Sequence, residues 1–448
     1  MKSDRNEGRL NFCRWVVMAT SLIACSQVIG AERGDNELWW PHWRGPSANG
    51  VVEAGAPPTE WSATKNIRWV TALPGTGAST PIVVGDRMFV LSAEDTGKSP
   101  SEPVVKHPDA LTEPPNTIHR FWLLALDRHS GKELFRRVLA EDSPHEGHHK
   151  TNTYAGGSPV TDGERLYVSL GSRGIFACDL DGNTLWERRL GKLRTRRGWG
   201  EASTPGLHGD RLVVPWDQEE QSQVVCLNKA TGAVEWSLER DEPTNWSTPV
   251  FVPDEAGVQV VLNGTNRARG YRLADGEPVW EVGSLSVNAI PTPIFDEQTI
   301  YCMSGYRKSI IYAVSRGAKG DAAENDGLRW TFGRHTPYVA SPLLYQGRLY
   351  MTKNLGNRLT ILDSRDGSAL VEAEPLPELA NVYASPVAVN GFVYIVDREG
   401  KTAVLRAGDR LDLVSVNRIN DTVDASPVVI EDRLYLRSWS AVYCIGEN

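Results

Sequence analysis

Apolar and polar residues alternate in short runs along most of this chain, and the runs are separated by Gly, Asp and Asn. Segment 156–190, GGSPVTDGERLYVSLGSRGIFACDLDGNTLWERRL, is representative. A short apolar run follows the Pro and DGE turns the chain. RLYVSL alternates with period two, GSRG turns again, IFACDL forms a third run, DGN a third turn, and TLWERRL a fourth run. Period-two alternation over a few residues predicts half-buried strands. Turns built from Gly, Asp and Asn suit tight hairpins, because these residues tolerate positive φ. The pattern predicts a four-stranded antiparallel unit.

The unit repeats. A Ser/Thr-Pro dipeptide opens it at Thr80, Ser158, Thr204, Thr248, Thr292, Ser341, Ser385 and Ser426, and after a first step of 78 residues the spacing is 41 to 49. A near-constant step of this size is the signature of propeller blades. Pro at the start of a first strand removes no inner ladder bond. An aromatic recurs in the fourth run at Phe135, Trp186, Trp236, Trp280 and Trp330, where it is placed to wedge between neighbouring blades, while Val371 and Val414 stand nearby in units six and seven. The eighth unit has three runs and no fourth. An orphan strand with Trp69 in the expected place, NIRWVTAL at 66–73, precedes the first dipeptide. The sequence therefore predicts an all-β, eight-bladed β-propeller with four-stranded antiparallel blades, its last blade closed by the N-terminal strand. Closure of this kind leaves no open sheet edge between first and last blades.

This divides the chain into a signal peptide at 1–30, a lead-in arm at 31–65 and one propeller at 66–448. The arm carries WWPHWRGPSANG, whose aromatics are expected to pack on the outside or cover one end. Two segments interrupt the repeat. Segment 93–118 is polar, Pro-rich and aperiodic, and is expected to be an exposed loop between strands two and three of the first blade. Segment 140–157 links the first two blades.

Composition adds compartment and charge. Lys2, Arg5, Arg9 and Arg14 precede an apolar stretch at 15–24 that is too short to span a bilayer, as in an export signal. Two processing readings stay open: a lipobox, SLIAC, with Cys25 as the lipidated residue and cleavage before it, or ordinary cleavage near VIGA. The formal net charge of −8 becomes −10 once residues 1–24 are gone, which argues against general nucleic-acid binding. Cys178, Cys226, Cys302 and Cys444 form no CxxC and sit inside apolar runs, so free core thiols are expected.

The Ser/Thr-Pro starts and the segments ALDRHSGKELF and CLNKATGAVEW resemble the pyrroloquinoline quinone (PQQ)-like β-propeller repeat family over nearly the whole mature chain. The lead-in WRGPSANG further resembles exported planctomycete-type PQQ-like repeat proteins. That resemblance implies a family containing both quinone-dependent alcohol dehydrogenases and the propeller lipoprotein of the outer-membrane β-barrel assembly machine. Fold transfers across such a likeness and function does not. The dehydrogenases of the family clamp PQQ with adjacent cysteines in a disulfide and a stacking Trp, beside Ca²⁺ and a catalytic Asp. Here no two cysteines are adjacent and no C-x-x-C-H haem motif is present.

Candidate site residues lie just before the Ser/Thr-Pro dipeptides, where first strands enter the channel: Tyr154, Trp199, Glu201, Asn245, Trp246, Asn288, Tyr338, Tyr383 and Asp424. They are varied, aromatic and polar, and they either line a binding mouth or fill the channel and tie blades together. HEGHH offers His145, His148 and His149 with Glu146 as metal ligands, although a solvated loop is the plainer expectation. GKLRTRRGW at 191–199 could meet an anion at that mouth, or balance neighbouring acids in an exposed loop. GTG at 75–77 lacks the Lys of a phosphate loop. The expectation is an exported, periplasmic or outer-membrane-associated, monomeric and non-catalytic propeller. It would engage a partner protein, small ligand or glycan at the mouth, touching a membrane only through a lipid anchor. The alternative is a PQQ- and calcium-dependent or metal-dependent oxidoreductase using the same mouth.

Overall fold

In the computed structural model the repeat units become eight antiparallel sheets arranged as a ring. The structure describes residues 39–353 and 357–447; the expected signal peptide at 1–30, with Cys25, lies outside them. Blade two follows the sequence pattern closely, with strands Val160–Thr161, Arg165–Ser169, Ile175–Asp179 and Thr184–Arg188 ordered from the channel outward. Blade eight joins Val428–Ile430, Arg433–Arg437 and Ala441–Ile445 to the early strand Ile67–Ala72, with Trp69 opposite Cys444 and Val70 opposite Tyr443. Head and tail thus close the ring as the pattern predicted.

The Ser/Thr-Pro repeat has a physical cause. The backbone N–H of Thr80 donates to the Ser158 hydroxyl, Ser158 to Thr204, Thr248 to Thr292, Thr292 to Ser341, Ser341 to Ser385, Ser385 to Ser426, and Ser426 back to Thr80, at 2.9 to 3.3 Å. Each of these seven accepting hydroxyls satisfies a buried N–H of the preceding blade, which no first-strand ladder could reach. The side chains form a belt around the channel, all of them buried.

The outer aromatics lock neighbours at a larger radius. The Trp186 indole N–H donates to the Lys229 carbonyl at 2.9 Å, and its ring covers Gly232. Gly232 has φ 70°, and a methyl there would lie 2.7 Å from that ring. Trp69, Trp236 and Trp330 repeat the arrangement on Arg128, Leu273 and Ser364. Trp280 departs from it. Its indole bonds Gln259 of its own blade, and the long connection in blade five lays Gly320–Asp321 in parallel along its strand. The four described cysteines are free and buried in these seams.

The lead-in arm enters the ring. Trp39–Trp40 pairs with the inner strand Ile82–Val84 of blade one, and Val51–Val52 pairs in parallel with Val387–Val389 of blade seven. Trp40 is fully buried. Between these anchors the buried Arg44 donates to the carbonyls of Pro386 in blade seven, Pro342 in blade six and Asn49 of the arm at 3.0, 2.6 and 2.6 Å. Burial pulls its pKa down to about 9. The arm then leaves along the seam of blades seven and eight. Its Pro57 carbonyl accepts from Tyr394 and its Trp61 N–H donates to Asn417. One end of the channel is therefore plugged by the chain's own N-terminal segment, from within the ring.

Candidate functional site

The other end of the channel is the mouth. In an up-and-down blade, the entry to strand one and the turn between strands two and three lie at the same end. Each blade thus supplies two segments there. The entry segments bring the sequence-predicted residues, and the two–three turns bring Arg173, Asp217, Tyr306, Arg398 and Trp439.

The structure draws the predicted residues into three groups. Near blades two and three, Tyr154 meets His119 and His148 edge-on at 4.9 and 4.6 Å and donates to the Glu146 carbonyl. Glu201 accepts from the N–H and hydroxyl of Ser172 at 2.6 and 2.7 Å and stands 3.7 Å from Arg173. Asn245 is buried and donates to Asp217, which is paired with Arg240 at 2.8 Å. Burial raises the Asp217 pKa against the pull of Arg240. Trp246 donates to the Gly200 carbonyl at 2.8 Å. In the second group Asn288 is buried and donates to the Tyr338 hydroxyl, while Tyr338 stacks on Tyr306 at 4.7 Å and 27°. In the third, Asp424 grips Arg398 through two bonds of 2.6 and 3.1 Å and accepts from the Trp439 indole at 2.7 Å. The Arg398 guanidinium lies over Tyr383 at 4.8 Å and over Trp439 at 5.7 Å. Burial opposes its charge, but Asp424 outweighs that and holds its pKa up.

Trp199 belongs to none of these groups and stands edge-on to His149, whose ring lies 5.7 Å away. Burial, then Lys150 and Arg398, lower the His149 pKa. His145 bonds the Leu193 carbonyl at 2.7 Å, and the buried Glu146 accepts both the N–H and the hydroxyl of Thr195. The HEGHH run is thus no solvated loop. It clamps the connection of blades one and two onto segment 193–195, because a buried Glu needs those donors. Its imidazoles face different partners, and among the described residues no three metal-binding side chains converge.

Segment 93–118 likewise is more than an exposed loop. The Leu111 N–H donates to the Arg197 carbonyl, and the Thr112 hydroxyl to that of Gly198. Arg194 pairs with Asp109 and Glu220 at 3.2 Å each, so part of the basic cluster does balance acids.

Between blades two and three these side chains leave a cavity of about 30 Å³, lined by Tyr154, Arg173, Glu201, Asp217, Asn245 and Trp246. That space suits a water molecule or two. A tricyclic quinone with its calcium does not fit it, and Glu201, Asn245 and Asp217 are already committed to protein partners.

Entry residues were legible in the sequence because they precede a repeated dipeptide. Tyr306, Arg398 and Trp439 precede no such dipeptide, so the repeat does not mark them. The available signal was topological: turns two–three end at the same face.

Known proteins compare as follows. A family model described as outer membrane protein assembly factor BamB matches residues 119–310 and 220–448. No curated protein sequence matches. Among solved structures, BamB from Moraxella catarrhalis superposes with TM-score 0.52 at 14% identity, covering 79% of this chain and 97% of that one. Quinohemoprotein alcohol dehydrogenase from Comamonas testosteroni gives TM-score 0.59 at 9% identity, with 91% and 80% covered. The computationally designed Ika8 protein gives 0.51 at 11% identity, with 77% and 98% covered. At such identities the likeness is one of fold.

Proposed function

The chain belongs to the PQQ-like β-propeller family whose model is described as outer membrane protein assembly factor BamB, and on that premise we propose that it is an exported, non-catalytic scaffold that docks a partner protein across its channel mouth. The observation carrying this reading is the aromatic and arginine lining of that mouth. Tyr306 stacked on Tyr338, and Arg398 packed on Tyr383 and Trp439, are half-buried and engaged with one another. Rigid aromatics and Arg dominate the binding energy of protein interfaces, since they bury area while losing little rotamer freedom. The side chains bond one another rather than face an empty slot, which favours a broad docking surface over catalysis.

Export is part of the proposal, and so is a lipid on Cys25. Mass spectrometry of the mature N-terminus separates a diacylated Cys25 from plain cleavage. The docking reading is tested with a photo-crosslinking residue at Tyr306 or Trp199, and at Leu185 on the outer rim, in the protein expressed in its own cell envelope. Crosslinks to one defined protein from the mouth positions alone are expected; equal yields from Leu185 would refute mouth docking. Added PQQ and Ca²⁺ should give no stoichiometric quinone absorbance and no dye-linked alcohol oxidation. Turnover would revive the oxidoreductase.

A further inference from the structure

The arm plugs the far end of the channel unevenly. It is anchored on blades one and seven, and the Thr161 N–H of blade two donates to the Pro41 carbonyl at 3.0 Å. Toward blades three to five a cavity of about 550 Å³ remains, lined by Trp39, Pro41, Leu207, Val250, Phe251 and Phe295 among others. Its volume falls within the range of ligand-binding cavities, roughly 300–1,000 Å³. Its charged groups are matched among themselves: Asp162 pairs with Lys229 at 2.9 Å and accepts from Tyr167. Its walls therefore offer apolar and aromatic surface without an open charge.

The walls also offer a sheet edge. In blade seven Ala388 stands opposite Val393 in a tight hairpin, and its N–H points inward to the Gly50 carbonyl of the arm at 2.9 Å. In blade one Val83 holds the same hairpin position and pairs with Trp40. Leu207 holds it in blade three, opposite Leu212, and borders the cavity. By the alternation of an antiparallel ladder its N–H and C=O face away from their own sheet. Gly206–His208 is the innermost strand of its sheet. The arm thus displays the recognition mode at this end, short apolar strands added to inner edges, and among the described residues no strand pairs with the inner edge of blade three.

We propose that this cavity is a second docking site, which takes an extended apolar segment of a partner polypeptide by strand addition to blade three, with a large side chain seated against Phe251 and Phe295. Strand addition gives affinity through main-chain bonds, and the pocket selects the side chain. The site is independent of docking at the mouth.

The test uses full-length mature protein and a fluorescein-tagged peptide, Gly-Ser-Leu-Trp-Trp-Ser-Gly, followed by fluorescence anisotropy. Saturable binding below about 100 µM is expected, weakened about tenfold or more by Ser47→Trp, which fills the cavity from an exposed arm position. Methylating the amide nitrogens of both peptide tryptophans should abolish binding while leaving the protein untouched, so misfolding cannot mimic the effect. Absence of saturation up to about 1 mM overturns the proposal. Equal binding of the methylated peptide overturns it in favour of a small-molecule pocket. Sedimentation showing that a second copy occupies the site overturns it in favour of self-association.

Discussion

Trp69→Ala tests whether the closing seam is locked by the same device as the internal seams. Trp69 is half-buried, its indole donates to the Arg128 carbonyl at 3.2 Å, and its ring lies 5.9 Å from Tyr435 and against Gly131. Truncating a fully buried Trp costs about 3–5 kcal/mol. Half burial reduces this to about 2 kcal/mol, and the lost hydrogen bond adds about 1 kcal/mol. The sum is about 3 kcal/mol, a large share of the roughly 5–15 kcal/mol that holds a domain. Because Ile67–Ala72 is joined to the ring at its far sequence end, the cost should fall on local opening of this seam. Hydrogen exchange read by mass spectrometry should quicken about 100-fold in peptides covering 67–72 and 441–445, since each 1.4 kcal/mol is a factor of ten. Exchange in blades three to five should stay put. If peptides 441–445 exchange within about threefold of wild type, the last blade does not depend on the N-terminal strand and the closure argument fails.

Three further outcomes follow from the same geometry. Ser158→Ala strips the acceptor from the buried Thr80 N–H, so denaturant melts should show a loss of about 1–3 kcal/mol, whereas a neutral result would remove the hydroxyl belt from the account. Cys178, Cys226 and Cys444, pushed by burial to about 11, 12 and 11, should resist a thiol reagent at pH 8 in native protein and react after unfolding; ready native labelling would contradict their burial. Burial, then the Arg44 charge, lowers His42 to about 3 from 6.5, so the unfolded chain binds the extra proton. Stability from this group is present above pH 6.5 and is lost as pH falls toward 3, at up to about 1.4 kcal/mol per pH unit. His42→Asn should flatten that limb of the stability profile, and an unchanged slope would mean that His42 is not buried as a neutral ring.

The sequence by itself determined the number of blades, their strand order and the closure. Each follows from local rules repeated along the chain: a Pro that begins an inner strand, alternation that sets one face inward, and Gly with Asp or Asn at the turns. The dipeptide even marked the belt, although its hydroxyls find their donors only when blades stand side by side. What the tertiary structure alone decided was where the aperiodic segments go. The arm, segment 93–118 and HEGHH carry no period, so nothing local fixes their direction. Trp40 and Arg44 are buried against the inner strands because only a closed ring presents inner strand edges and carbonyls to them. Tyr306, Arg398 and Trp439 join the mouth because antiparallel pairing brings turns two–three to the same end as the strand-one entries, across blades far apart in the chain. Local pattern sets what a segment is, and long-range closure sets what it touches.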